Sequence, residues 1–228
     1  MLRLSCRTVS GKSTRCPNRP FFSFLLLLPL VCASACSSPG GNAEETSLSA
    51  GLDTAMLHEG DLIFRCGTGI ESQAVVAAER GSRYSHVGLL VREPCGWRVL
   101  HSVPGEAGDT GGEEVLKKDS LPLFLRSDRA VSVGVYRYDT TEAALAAVCE
   151  RAMELYGRRV PFDHSYLLSD SSRMYCTEFV TVAFRAIGVD LPEGRCHSFP
   201  LAKEQVVYPL DIVRNSHLKE LFYISKKK

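Results

Sequence analysis

An α+β domain is predicted by three observations on this 228-residue sequence. Short β-branched runs alternate with turn signatures, and two of them flank a Pro- and Gly-containing turn as a hairpin would. Two later segments repeat apolar residues at helical spacing. The expected architecture is an antiparallel sheet with helices packed against it.

The N-terminal segment comes first in the chain and stands apart from that domain. Residues 1–35 carry Arg3, Arg7, Lys12, Arg15 and Arg19 and no acid, run apolar from Phe21 to Val31, and end Ala33-Ser34-Ala35 before Cys36. A basic start, a short apolar stretch and small residues at the end describe a secretory signal, too short to span a bilayer as a helix. Cys36 directly after Ala35 resembles the lipidated cysteine of a bacterial lipobox, with Ala33 in place of the usual leucine. The resemblance implies an exported protein of the cell envelope, lipid-anchored to a bacterial membrane. Ordinary cleavage after Ala35 is the alternative. Residues 36–57, rich in Ser, Gly, Ala and Glu, read as a flexible tether, and 58–228 as one domain of a size that supports a real core.

Charge and cysteines narrow the function classes. The chain has 27 basic and 26 acidic residues, so losing the five basic residues of the leader leaves 22 against 26, about −4 net. A mildly acidic protein has no electrostatic reason to seek nucleic acid. Lys226-Lys227-Lys228 reads as a solvated terminus. None of the cysteines beyond Cys36 shows CxxC or CxxxH spacing, so no structural zinc is expected, and a metal site stays only as the weakest alternative. A disulfide after export stays open, and Cys149 falls on the apolar stripe of a helix.

The elements follow in order. Asp61 to Arg65 reads as a strand, and Ile70 to Glu79, rich in Ala and Val, as a helix ending near Gly81. Tyr84 to Val91 and Trp97 to Val103 form the hairpin around Arg92-Glu93-Pro94-Cys95-Gly96. Gly105 to Gly112 is a loop, and Ala130 to Tyr138 a third strong strand. Asp139-Thr140-Thr141-Glu142 resembles a capping box, followed by Leu145, Val148, Cys149 and Ala152 at helical spacing up to Gly157. A second long helix begins near Ser172, with Cys176, Phe179, Val180, Ala183 and Ile187 on one stripe before Gly188.

Geometry then begins to specify chemistry. A hairpin turn centred on Glu93-Pro94 puts His86 opposite His101, and a longer loop from Glu93 to Gly96 makes them diagonal neighbours. Either register leaves both on one sheet face within mutual reach, whereas a slip of one residue separates them. Cys176 lies near the first turn of its helix, where unpaired N–H groups and the helix dipole favour a thiolate and can receive an oxyanion. Singly, a helix cysteine or a strand histidine is most simply a core residue. Together the three supply a nucleophile, a base and an orienting group.

Four ordered motifs carry a family resemblance: Gly60 to Arg65, Tyr84-Ser85-His86-Val87-Gly88, Val99 to Pro104 around His101, and Tyr175-Cys176-Thr177-Glu178-Phe179-Val180. They are similar to the permuted papain-like hydrolases of the YiiX/YaeF type, a branch of the NlpC-type superfamily. The resemblance implies a circularly permuted papain-like fold, with the nucleophile at the N-terminus of a late helix. It assigns Cys176 as nucleophile, His86 as base and His101 to the orienting position, with no cofactor. With the export signal, it implies a thiol hydrolase cleaving an amide in cell-wall peptide. The order His-His-Cys also resembles the lecithin:retinol acyltransferase-like proteins, although these show Asn-Cys-Glu-His where this chain has Tyr-Cys-Thr-Glu. A lipid acyl hydrolase or acyltransferase therefore stays open, as does a non-catalytic binding lipoprotein. Tyr84 and Tyr175 flank the three residues as substrate or oxyanion candidates, or as packing. Asp163, in Pro161-Phe162-Asp163-His164, is a turn residue and also resembles a cleft-lining family segment. Glu178 faces away from the thiol, and His58, His197 and His217 read as surface or structural.

Overall fold

The strand and helix boundaries come from a computed structural model, which describes residues 48–79, 81–106, 112–168, 170–198 and 204–226. Six strands pair antiparallel in the order β4-β3-β2-β1-β5-β8: β1 Leu62–Cys66, β2 His86–Glu93, β3 Gly96–His101, β4 Lys117–Ser120, β5 Ser132–Tyr138 and β8 Leu218–Ser225. The helices are α1 Ile70–Ala78, α2 Leu121–Phe124, α3 Glu142–Gly157, α4 Cys176–Phe184 and α5 Pro209–Val213, and a separate ribbon pairs β6 His197–Ser198 with β7 Gln205–Val206. The α+β reading with an antiparallel sheet holds.

Alternation along the strands splits the core in two. On one face Leu62, Phe64, Val87, Leu89 and Leu100 pack with Val148 and Ala152 of α3 and Phe179, Val180 and Ala183 of α4. On the other, Ile63, Leu90, Val99, Val133 and Val135 pack with Leu121 and Phe124 of α2 and with Leu48, Leu52 and Leu57. Those last three leucines correct the expected tether. Residues 48–51 and 54–56 form short 3-10 turns whose apolar side chains cover the second face. A polar composition hid three leucines spaced to reach one surface. The leader and Cys36 lie outside the described residues, as do 107–111 of the predicted glycine loop. Among the described residues no helix is long and apolar enough to cross a membrane.

Two boundaries differ instructively. Thr141, not Asp139, caps α3, its hydroxyl accepting from the Ala144 N–H. The helix that carries Cys176 starts later than Ser172: Tyr175 is extended, with φ −94° and ψ 176°, which makes Cys176 the first helical residue. Two sheet edges are not among the predicted strands: β4 is a polar run without a strand pattern, whereas β8 contains the strand-like run Leu221-Phe222-Tyr223-Ile224.

The hairpin takes the diagonal register. Leu89 faces Leu100 and Glu93 faces Gly96, leaving Pro94 and Cys95 as the turn. Gly88 makes this close approach possible: a Cβ there would lie 2.5 Å from Val99 Cγ1 and 3.2 Å from His101 Cβ.

Leu52→Ala is expected to cost about 2–5 kcal/mol, as burial of a leucine in a packed core implies. Chemical denaturation checks this; an unchanged midpoint would mean that the 48–57 segment does not contribute to the second core.

Candidate active site

Two histidines meet on the sheet face that carries Val99 and Phe124. His86 Nε2 and His101 Nδ1 are 2.9 Å apart, their ring planes at 76°. Phe124 closes over both, with ring centroids 5.8 Å from His86 and 5.0 Å from His101. His101 has no exposed surface, while His86 reaches a cleft of about 240 Å³. Cys176 opens into the same cleft. The fold thus brings His86, His101 and Cys176 to one place.

The start of α4 is arranged for an anion. No side chain caps it, and the backbone N–H groups of Cys176 and Thr177 turn toward the thiol, which lines the cleft. The position of this helix start is fixed from two sides. Ser102, next to His101, donates through Oγ to the Met174 carbonyl at 2.6 Å, tying the histidine strand to the segment that leads into Cys176. Thr177 Oγ1 donates to the Val207 carbonyl at 2.7 Å, and the Val207 N–H donates to the Tyr175 hydroxyl at 3.1 Å. Residues 206–209 thereby become one wall of the cleft.

Electrostatics differ from the expectation of a low thiol pKa. Burial pushes the Cys176 thiol up to about 11, and the backbone N–H groups of Val87, Thr177 and Cys176, with Arg65, oppose this without reversing it. Burial likewise drives His86 well below the usual imidazole range, helped by Arg65, His101 and Lys117. His101 is also lowered by burial, although Asp119 and Glu106 pull it back. Both shifts favour the uncharged forms of thiol and imidazole.

The remaining candidates take different places. Tyr84 is buried in the core beside Phe64 and Tyr136, its hydroxyl 3.2 Å from that of Tyr136, and its ring fills the space above Gly134. It does not line the cleft. Tyr175 does, and its oxygen accepts from Val207. Asp163 is buried and accepts from the N–H groups of Ser165 at 2.8 Å and Leu167 at 2.5 Å, closing a turn that leaves Phe162 and Tyr166 facing the cleft. Glu178 lines a different cavity, with its carboxyl pushed up to about 8 by burial and by Asp163. His197 bonds Asp211 at 2.8 Å. The five described cysteines after the leader are free.

Sequence reasoning missed the charges behind His101. Asp119 Oδ2 lies 3.4 Å from His101 Nε2 and 3.1 Å from Arg129 Nη1. Glu106 pairs with Arg65 and, at 2.8 Å, with Arg129, and Lys117 stands 3.8 Å away. Asp119 sits in the polar run Lys117-Lys118-Asp119-Ser120, which carries no strand pattern to betray it.

Comparisons with known proteins bear on the family and the fold. The sequence model of the permuted papain-like amidase enzymes, YaeF/YiiX, C92 family, matches residues 56–221. Among solved structures, yiiX from Escherichia coli O157:H7, described as a metalloprotein, is similar with a TM-score of 0.56 and 21% identity, over 74% of this chain and 97% of that one. No curated protein shows a significant match. In this chain His101, Glu106 and Asp119 offer ligand atoms within 4.8 Å of one another. Arg65, Arg129 and Lys117 already set three positive charges against the two carboxylates, so this cluster does not fit a metal ion.

Alkylation of Cys176 by iodoacetamide should keep rising with pH past the ordinary thiol value, because the thiolate fraction grows until about 11. A rate that levels off near neutral pH would contradict a neutral resting pair.

Proposed function

Because the chain belongs to the permuted papain-like amidase family and is a cysteine hydrolase, we propose that it cleaves an amide through Cys176, His86 and His101, exported and lipid-anchored at Cys36, with cell-wall peptide as substrate. The observation that carries the residue roles is the shared cleft: Cys176 begins an uncapped helix and His86, backed by His101 at 2.9 Å, opens beside it.

The mechanism follows from the parts. With Nε2 engaged by His101, His86 has Nδ1 for the thiol proton. Proton removal and attack on the carbonyl are coupled, since the neutral pair holds little thiolate in advance. The N–H groups at the start of α4 receive the oxyanion as it forms. His86 returns the proton to the leaving amine, and water, activated by the same imidazole, releases the acyl group from sulfur. The export and anchor reading rests on the leader, and the wall-peptide reading on family and compartment.

A second reading is favoured by the cleft walls, where Val75, Val103, Pro104, Phe162, Val206 and Pro209 are apolar. They suit an acyl chain, so a lipid acyl hydrolase or acyltransferase using the same residues is the alternative.

Turnover of wall peptides, N-acyl amides and phospholipids by purified protein separates the readings. Cys176→Ala should abolish activity on whichever is cleaved, His86→Ala should remove nearly all of it, and His101→Ala should lower it by roughly 10²–10⁴. Wild-type turnover by Cys176→Ala would end the thiol mechanism, and turnover of phospholipid alone would move the substrate to the second reading. Mass spectrometry of the native protein should find Cys36 acylated; an unmodified Cys36 would remove the anchor.

A further inference from the structure

Asp119 and its contacts remain outside the three-residue scheme. A pair of histidines bonded through ring nitrogens has an ambiguity that a histidine bonded to a carboxylate lacks. Either ring can be the donor, and the choice decides whether the base has a lone pair toward the thiol. If His101 Nδ1 carried the proton, it would donate to His86 Nε2, and His86 would hold its own proton on Nδ1. That tautomer cannot accept from a thiol.

The contact beyond the pair resolves the choice. Facing His101 Nε2 at 3.4 Å is the Asp119 carboxylate, which accepts and does not donate. It stays ionised: burial works against the charge, but the His101 contact and the positive groups Arg129 and Lys117 outweigh it and hold the carboxyl below its ordinary value. Arg129 Nη1, 3.1 Å from the same oxygen, fixes its direction. His101 Nε2 is buried and makes no hydrogen bond, and the polar groups beside it are carboxylates, Asp119 at 3.4 Å and Glu106 within 4.8 Å, which favour a proton over a lone pair on that nitrogen.

We propose that Asp119, held by Arg129, is a positioning residue that sets the tautomers of both histidines: His101 protonated on Nε2, His86 protonated on Nε2, and His86 Nδ1 left open as the base. This rests on the proposed roles of Cys176 and His86. When the thiol proton moves to His86 Nδ1, the His86 Nε2–H stays bonded to His101 Nδ1, and the new positive charge is felt by Asp119 through His101. No proton leaves the chain, and Asp119 is not protonated. The 3.4 Å contact shortens as that charge develops.

The test reads the tautomers directly. In protein labelled with ¹⁵N-histidine, long-range ¹H–¹⁵N correlations, assigned through His86→Gln and His101→Gln, should show Nε2 protonated and Nδ1 unprotonated on both rings. In Asp119→Ala the two tautomers should mix, and the acylation rate with p-nitrophenyl acetate should fall about 10–100-fold, the usual loss for an outer partner of a site histidine. Asp119→Asn should restore both readouts in large part, because Arg129 draws the amide oxygen to the place of Oδ2. A wild-type His86 carrying its proton on Nδ1 overturns the proposal, as does Asp119→Ala with unchanged tautomers, whatever its rate. If Asp119→Ala does not fold, the wild-type spectrum decides alone. Loss of the thiol mechanism in Cys176→Ala assays would leave the spectrum unaffected, so the two failures are distinguishable.

Discussion

The bond between His86 and His101 depends on the register of a single hairpin, and the rest of the site is arranged around it. A side-chain period of two means that a slip of one residue would send one ring into the α3–α4 core and the other toward Phe124. The two-residue Pro94-Cys95 turn sets the register, and Gly88 lets β3 come close enough for His101 to sit behind His86. The Ser102 bond to Met174 then carries the same strand to the start of α4. One local constraint therefore places both imidazoles and, through one hydrogen bond, the approach to the thiol.

Burial is the second theme, and it acts against the helix start. A buried thiol and a buried imidazole both disfavour their charged forms, and the N–H groups at α4 only moderate this for Cys176. Such a site keeps its charge separation for the reaction itself. A neutral pair is also less open to stray oxidants and metals than a standing thiolate. The charged groups of the region are gathered one layer back, where Arg65, Arg129, Lys117, Glu106 and Asp119 satisfy one another behind His101.

Much of this was legible in the sequence. β-branched runs around a Pro-Gly turn revealed β2 and β3, and alternation along them gave the shared face of His86 and His101. The apolar stripe of α4 placed Cys176 near a helix start. Asp119 was not legible, because β4 is a polar edge strand whose pairing with β3 becomes visible only in three dimensions. For a similar reason it was not legible that packing, of the two readings open for Tyr84, is the one that holds: its ring lies over Gly134 because β1 brings β2 and β5 together, and no local pattern encodes that neighbour. The thiol pKa was misjudged because helix position can be read from sequence, whereas burial depends on walls supplied by residues 162–166 and 206–209.

The central claim is that Cys176 forms the covalent intermediate. It is tested most directly by rapid acid quench of the protein mixed with p-nitrophenyl acetate, followed by peptide mass spectrometry. The account predicts one acetyl group, on the peptide that contains Cys176, forming as fast as p-nitrophenolate is released. An acetyl group on another cysteine, or release of p-nitrophenolate with no adduct on Cys176, would contradict it.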